Sequence, residues 1–245
     1  ASADMRRTSE TLCTDSMWIG KADCSDCAVK SRLLFSSIDV GYLSQILRPI
    51  DNIVFEPNAT LFRKDEAGAF VYSIRSGLLK LVRPLDSGGE RIVRLQGKTD
   101  AIGLEAWLDR PYQNTAIALE RLDVCRIPIS VLKSIDQDQP QLSRQLEKQW
   151  EAALEKADFW IANLSTGPMR PRVAWLIHFL LECSDCGETG LRLLHSEDMA
   201  DILGASKETV CRLMSELKHA RILTRIAPRT YKCDLGALDD YARPG

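Results

Sequence analysis

The sequence has few of the features that mark membrane, secreted or enzymatic proteins. No apolar run approaches the roughly 18–20 residues that cross a bilayer, and residues 1–20 have no long apolar core. We therefore expect no membrane partner, no secretory signal and a cytoplasmic location. Histidine is scarce, at three residues of 245. The Gly-Lys-Ser phosphate loop, the Gly-Xaa-Ser-Xaa-Gly elbow and the His-Glu-Xaa-Xaa-His motif are all missing, so we expect no enzyme.

The composition otherwise indicates an ordinary folded protein with many thiols. Hydrophobic residues make up 45% and charged residues 27% of the chain, and the formal net charge is −2. A length of 245 residues predicts two domains, at roughly 100–150 residues each. Eight cysteines are many for a cytoplasmic chain. Thiols stay reduced in that compartment, so clustered cysteines favour metal or redox chemistry over disulfides.

The order of local patterns predicts an α+β protein. Short β segments separated by turn signals run from about 50 to 130, and Asp86-Ser87-Gly88-Gly89 marks a hairpin. A long helix and a smaller helical domain follow. In that domain we predict a short strand over 191–194 and two strands of a wing over 221–226 and 231–234. We predict four parts: a cysteine-bearing N-terminal segment (1–37), a β-roll sensor domain (38–135), a dimerisation helix (136–166) and a winged helix-turn-helix domain (167–245).

Apolar residues after Pro140 recur with steps of three and four, which is typical of one side of a helix. A narrow seam about seven turns long favours pairing with a symmetry copy. We therefore predict a homodimer. The predicted interface consists of Leu142, Leu146, Trp150, Ala153, Ala157, Trp160 and Leu164.

The C-terminal region has the spacing of a helix-turn-helix. Ser196 is a candidate cap for a helix over 197–203, and Gly204 and Ser206 lie in a tight turn before a helix from about Lys207 to Ala220. Residues 204–232 contain seven Lys or Arg and two Glu, a local net charge of +5 in a chain of −2. Such a local concentration of positive charge favours contact with DNA phosphates.

Two segments resemble the CRP/FNR transcription regulators. Residues 204–213, GASKETVCRL, resemble the family's recognition helix, and 72–80, YSIRSGLLK, resemble a stretch of its β-roll. The resemblance implies a dimer that reads two half-sites of a palindromic double-stranded DNA operator. It implies that Glu208 contacts cytosine, Arg212 guanine, and Lys207 a base edge or phosphate. Ser206 and Thr209 would contact phosphates, and Cys211 shares the DNA-facing side. Contact with RNA polymerase is implied for an activator.

The resemblance also bears on what the β-roll senses. The cyclic-nucleotide branch needs a Glu for the ribose and an Arg for the phosphate, but the matching positions are Leu104 and Asn114. We therefore expect no cyclic nucleotide. Residues 103–106, GLEA, are instead similar to the FNR branch, which senses oxygen through a 4Fe–4S cluster held by cysteines.

The cysteines match the FNR pattern incompletely. Cys24 and Cys27 match its N-terminal pair and Cys125 its distant ligand, but Leu33 stands where another cysteine is expected. Because four thiolates usually hold such a cluster, Cys13 is the candidate fourth ligand. Zinc at these cysteines, or loss of the cluster, remains open. The alternative function is a regulator of the same fold that responds to another small ligand or needs none.

A second Cys-Xaa-Xaa-Cys motif lies at Cys183 and Cys186. Two interpretations stay open: the cysteines are exposed loop thiols, or they form a thiol–disulfide switch. A thiol oxidoreductase would place such a pair in a βαβ unit. Neither pair has that context, so we do not expect this function.

Overall fold

The computed structural model describes residues 50–86, 88–183 and 190–243. The contacts divide the chain into two compact units. The first comprises the described residues of 50–79 and 96–152, and the second comprises the described residues of 80–95 and 153–243. The mixture of a β-rich N-terminal part and a helical C-terminal part confirms the predicted α+β class.

Eight strands form the β-rich part, with a short 3-10 helix (Leu104–Leu108) between the sixth and the seventh. The strands make two four-stranded sheets, in the orders β1-β8-β3-β6 and β2-β7-β4-β5. Their bounds are β1 Asp51–Phe55, β2 Thr60–Phe62, β3 Phe70–Ser76, β4 Leu79–Pro84, β5 Glu90–Gln96, β6 Ala101–Ile102, β7 Thr115–Ala118 and β8 Leu122–Pro128.

The centre of the first sheet is β8, which pairs antiparallel with β1 on one side and β3 on the other. Its side chains alternate in burial because successive residues of a strand point to opposite faces. Leu122 and Val124 are fully buried. Cys125 is half-buried, and its neighbours across the strands are Asn52 and Ser73. The register therefore places Cys125 beside polar residues on both adjacent strands.

The predicted hairpin joins β4 and β5. The Leu85 N–H donates to the Gly89 carbonyl (3.0 Å), and Gly88 and Gly89 have φ values of 85° and 84°. Glycine takes this left-handed conformation without the Cβ clash that other residues meet. By its contacts the segment 80–95 belongs to the second unit, in which Lys80 Nζ donates to Asp198 Oδ1 (2.8 Å).

A helix that we did not predict, α1 (Ile129–Asp138), follows β8 directly. It buries Leu132 and Ile135, and Asp136 accepts hydrogen bonds from the Ser143 hydroxyl (2.6 Å) and N–H (3.1 Å). The predicted long helix is α2 (Gln141–Asn163). Gly167, with φ of 91°, lies in the turn that follows it, as expected of a glycine after a helix end.

The second unit contains four further helices and a three-stranded sheet in the order β10-β11-β9. Strands β10 and β11 are the two strands predicted for the wing. The last helix was not predicted. The bounds are α3 Met169–Cys183, β9 Leu191–Arg192, α4 Ser196–Leu203, α5 Lys207–His219, β10 Leu223–Ala227, β11 Thr230–Cys233 and α6 Leu235–Ala242.

The prediction that Ser196 caps α4 was wrong. The N-cap is His195, in an extended conformation, and no side chain accepts a capping hydrogen bond there. Ser196 is the first helical residue, one position too late to accept a bond from the free N–H groups of the first turn. The acidic Glu197 and Asp198 in that turn are instead favourable beside the positive end of the helix.

Candidate nucleic-acid interface

The turn between α4 and α5 sets the angle between the two helices. Gly204 ends α4 in the left-handed conformation (φ 56°, ψ 43°), and the Ala205 N–H donates back to the Ala200 carbonyl (3.0 Å). A Cβ at Gly204 would meet nothing within 4 Å, so its backbone conformation, rather than crowding, calls for glycine. Ser206 then caps α5, its Oγ accepting from the Thr209 N–H (3.2 Å). The predicted cap of this helix is confirmed.

The buried side of α5 determines which side faces out. Val210, Leu213, Met214 and Leu217 are all buried, with exposed fractions of 5% or less. These positions recur with steps of three, one and three and so lie along one side of the helix. The opposite side is left for a ligand.

All six residues predicted to contact DNA lie at the N-terminal end of α5. Ser206, Lys207, Glu208, Cys211 and Arg212 are exposed and Thr209 is half-exposed. In helix-turn-helix proteins the N-terminal residues of the second helix contact base edges in the major groove. The structure therefore places the residues that this contact requires together at the exposed start of α5.

Three ionised side chains on α5 have defined partners. Lys207 Nζ donates to Glu197 of α4, and Arg212 Nη1 donates to Glu216 Oε1 (2.8 Å) one turn further along α5. The pKa of the Glu208 carboxyl is lowered, because it accepts a hydrogen bond from its own N–H and a second from Ser206. Glu208 therefore stays ionised at neutral pH and can accept a hydrogen bond from a base amino group.

Basic residues run from the last turn of α5 into the hairpin of β10 and β11. Lys218, Arg221, Arg225 and Lys232 are exposed, and Arg229 is half-exposed at the tip. Arg221 and Arg229 have left-handed φ values of 59° and 57°. Cations spread along this surface suit contact with phosphates, which carry charge but no sequence information.

One of the four predicted cluster ligands lies in the described structure. The Cys125 thiol on β8 donates to Asn52 Oδ1 (3.1 Å) and is half-buried rather than enclosed in the core. Cys13, Cys24 and Cys27 lie outside the described residues. Within 50–86, 88–183 and 190–243, no three His, Cys, Asp or Glu side chains come together as a metal site. The predicted ligand set therefore stays a prediction. Of its four members, Cys125 is the one that the described structure contains, and its side chain is partly exposed.

Two features of the β-roll bear on cyclic-nucleotide binding: a pair of stacked aromatic rings, and the buried Asn114 where a phosphate would need a countercharge. Tyr112 stacks on Phe62 with ring centroids 3.9 Å apart, and its hydroxyl donates to the Phe70 carbonyl (2.8 Å). Burial raises the pKa of the Tyr112 hydroxyl. Asn114 is 4% exposed, and its Oδ1 has no hydrogen-bond partner among the described residues. A neutral amide at this position offers no countercharge to a phosphate.

The predicted dimer residues fall into two groups. Leu142, Leu146, Trp160 and Leu164 are buried within a single chain, each 6% exposed or less. Trp150, Ala153 and Ala157 are half-exposed. Leu154 and Ile161, which the prediction omitted, are each 63% exposed. The buried group cannot offer much surface to a partner, so the exposed line on α2 differs from the predicted one.

That exposed line contains Trp150, Leu154, Ala157 and Ile161, and its steps of four, three and four are those of a coiled-coil seam. The sequence signal was present, because these residues repeat as regularly as the predicted set. Periodicity alone did not reveal which apolar side of α2 packs inside its own chain.

No helix in the described part of the chain has the length and apolar character needed to cross a bilayer.

Two segments of the chain match the models of known protein families. Residues 52–138 match the cyclic nucleotide-binding domain, and residues 173–241 match the Crp-like helix-turn-helix domain. The first match covers the strands of both sheets except the start of β1, together with α1. The second runs from within α3 to within α6 and includes all six candidate DNA contacts.

Relatives resemble the chain over most of its length. The Transcriptional activator protein FnrA of Stutzerimonas stutzeri is 28% identical over 212 residues, which cover 83% of this chain and 85% of that protein. The Anaerobic regulatory protein of Pasteurella multocida is 26% identical over 210 residues, which cover 82% and 76%. The solved structure of FixK2 from Bradyrhizobium japonicum superposes with a TM-score of 0.71 at 21% identity, covering 80% of this chain and 98% of FixK2.

Proposed function

The chain belongs to the CRP/FNR family and is a DNA-binding transcription regulator, and we propose that it reads a palindromic operator as a homodimer. The observation that carries this proposal is the face of α5 on which Lys207, Glu208 and Arg212 are exposed together beside a basic hairpin. The names of two relatives compared above, a transcriptional activator FnrA and an anaerobic regulatory protein, support an FNR-like branch.

The proposed roles follow from the chemistry of each exposed side chain. Arg212 donates to guanine and Glu208 accepts from cytosine, since these are the pairings that the major groove allows. Lys207 contacts a base edge or phosphate, and the hydroxyls of Ser206 and Thr209 contact phosphates. Cys211 lies one helical turn from Glu208 on the same side and contributes to the fit against the groove.

The proposed dimer forms through the exposed line of α2. Leu154 and Ile161 are large apolar side chains that a single chain leaves in water. Covering them with their symmetry copies removes this surface from water at about 25 cal/mol per Å². Two copies of α5 would then reach half-sites one helical turn apart.

The proposed signal is oxygen or redox state, sensed through an iron–sulfur cluster held by Cys13, Cys24, Cys27 and Cys125. Support comes from the accessible Cys125 thiol and from two relatives named as anaerobic regulatory proteins. Such a cluster supplies redox and oxygen-labile chemistry when bound. The chain's own part is to present four cysteine sulfurs, one of which, that of Cys125, β8 holds beside Asn52. The alternative remains a regulator of the same fold with another ligand or none.

One experiment tests the DNA-binding proposal directly. Wild-type protein prepared without oxygen selects duplexes from a random library, and the enriched sequences are aligned. We expect a two-fold symmetric site whose half-sites lie about one helical turn apart. Enrichment of a site without two-fold symmetry would contradict the dimeric operator, and failure to enrich any sequence would contradict specific binding.

A further inference from the structure

Lys207 and Arg212, two cations on the exposed side of α5, each pair with a carboxylate, but the two carboxylates differ in how firmly they are held. Glu197, the partner of Lys207, is 69% exposed on its side chain. Glu216, the partner of Arg212, is 29% exposed and receives hydrogen bonds from two other helices. Its Oε2 accepts from the Tyr241 hydroxyl of α6 (3.1 Å) and from Arg170 Nη2 of α3 (3.2 Å).

The two anchors of Glu216 also contact each other. The Arg170 guanidinium lies over the Tyr241 ring, 5.3 Å from its centroid, a geometry in which a cation is attracted to the ring face. Burial and the hydrogen bond to Glu216 raise the pKa of the Tyr241 hydroxyl to about 12. Burial alone would raise the pKa of the Glu216 carboxyl, but the Tyr241 hydrogen bond and the charges of Arg170 and Arg212 lower it. At neutral pH Tyr241 therefore donates and Glu216 accepts.

We propose that Glu216 is a positioning residue that holds the Arg212 guanidinium in the orientation needed to contact a guanine. Arg170 and Tyr241 fix the Glu216 carboxylate in place by their hydrogen bonds. This inference rests on the proposed function, in which Arg212 contacts a base. It adds a specificity determinant outside the DNA-facing end of α5.

The anchoring is what distinguishes Glu216 from an ordinary surface partner. An ion pair one helical turn apart on an exposed helix is weak, because both side chains keep exchanging rotamers. Glu216 has one oxygen fixed from outside its helix, so its other oxygen is a stationary acceptor for Arg212 Nη1. Less rotamer freedom is then lost when Arg212 meets the base.

The pairing leaves Arg212 able to recognise guanine. A guanidinium has five N–H donors in a fixed plane, and among the described residues Arg212 uses one nitrogen, Nη1, for Glu216. The remaining donors suffice for a bidentate contact with guanine O6 and N7. Glu216 thus restrains the plane of the group without using up the edge that reads the base.

The test uses Tyr241→Phe and Glu216→Gln in the full-length protein, on duplexes selected from a random library by wild type. Tyr241→Phe removes the hydroxyl but keeps the ring under Arg170 and leaves the charge unchanged. We expect it to lower discrimination at the base pair read by Arg212 about three- to tenfold, the effect of freeing one long side chain. Discrimination at the other base pairs and the salt dependence of binding should stay as in wild type.

Glu216→Gln has a matched control in Glu197→Gln. Each substitution removes one negative charge beside a cation of α5, so both should raise affinity for all duplexes alike. Only Glu216→Gln should also lower discrimination at the Arg212 base pair. The inference would be overturned if Glu216→Gln and Tyr241→Phe, both folded with wild-type melting behaviour, discriminated at the Arg212 base pair as well as Glu197→Gln and wild type do. A gain in discrimination would also overturn it, since it would show that Glu216 withholds Arg212 from the base.

Arg212→Ala separates this inference from the function on which it rests. If Arg212→Ala leaves discrimination unchanged, the proposed role of Arg212 fails and the positioning role fails with it. If Arg212→Ala abolishes discrimination while Tyr241→Phe and Glu216→Gln preserve it, the positioning role alone fails. In the Arg212→Ala background we expect Tyr241→Phe to have no further effect on that base pair.

Discussion

The recognition helix of the second unit and the sheet around Cys125 in the first unit present functional side chains in different ways. The six candidate DNA contacts lie within seven consecutive residues, at the N-cap and in the first two turns of α5. Cys125 stands alone on β8, and its proposed co-ligands are about a hundred residues away in the sequence. A site on one helix depends on local geometry, whereas a site gathered across the chain depends on the whole fold. The two should therefore respond differently to single substitutions.

The largest expected effect is loss of the proposed iron–sulfur cluster, whose cysteines come from distant parts of the sequence. Cys125→Ser should abolish bound iron and sulfide in protein made without oxygen, because four thiolates usually hold such a cluster. The measurement is chemical iron and sulfide analysis together with the visible absorption spectrum.

Cys233→Ser is the matched control for this experiment. Burial, together with Asp234 and Asp239, raises the pKa of the Cys233 thiol to about 11, so it is not a thiolate at neutral pH. This variant should keep the wild-type iron content. Wild-type protein without iron or sulfide would contradict the cluster proposal, while iron retained in Cys125→Ser would contradict only this ligand.

The next largest effect concerns the dimer, on which recognition of two half-sites depends. Leu154→Asp places a charge where the exposed line of α2 would be covered, and an unpaired buried charge costs about 3–5 kcal/mol. We expect a monomer by light scattering at micromolar concentration and weak operator binding through one half-site. Leu108→Asp, at a leucine that is 53% exposed in the first unit, should stay dimeric. A dimeric Leu154→Asp protein would show that the chains associate elsewhere.

Each single substitution on α5 should impair recognition of one base pair only. Arg212→Ala and Glu208→Ala should each lower discrimination at a single base pair by about 1–3 kcal/mol and leave the other base pairs unaffected. Competition binding with duplexes substituted at each position measures this. Uniform weakening on all duplexes would mean that these side chains contact phosphates instead.

Stability of the recognition helix should depend on its cap. Ser206→Ala removes the acceptor for the Thr209 N–H and should lower the free energy of unfolding by about 1 kcal/mol. Ser196→Ala is the control, since no side-chain cap forms at the start of α4. Thermal and urea unfolding of the two variants should therefore differ. An equal fall in the free energy of unfolding of both variants would mean that the Ser206 hydrogen bond makes no net contribution to stability.

The smallest effect is expected at phosphate contacts. Arg221→Gln keeps a residue with a β-carbon at the left-handed φ of 59° but removes the charge. Affinity should fall slightly and equally for all duplexes, and the slope of log affinity against log salt should fall by about 1. An unchanged slope would place Arg221 away from the phosphates.

Much of the second unit could be predicted because its signals are local. The turn at Gly204, the cap at Ser206 and the buried side of α5 all follow from neighbouring residues. Helix α1 was missed because it buries only Leu132 and Ile135, too few apolar positions to establish a period. Ser196 was misplaced by one residue, since a serine in the first turn resembles a cap until the backbone conformation of His195 is known.

The dimer seam shows the limit of periodicity. Both apolar lines on α2 repeat with steps of three and four, and the sequence does not distinguish the line that packs inside the chain from the line left outside. The distinction depends on what α2 meets in three dimensions. In the structure Leu142 and Leu146 are buried, whereas Leu154 is 63% exposed.

The sequence by itself determined the α+β class and the helix-turn-helix, because helix capping, turn conformation and apolar spacing act between residues close in the chain. The resemblance to the CRP/FNR family, rather than these local rules, implied the six candidate contacts. Only the tertiary structure decided which face of α2 is exposed and that Cys125 lies beside Asn52. It also decided that Arg170 and Tyr241 meet at Glu216. These contacts join residues 25 to 73 positions apart, and no local rule relates such residues until packing brings their helices and strands together.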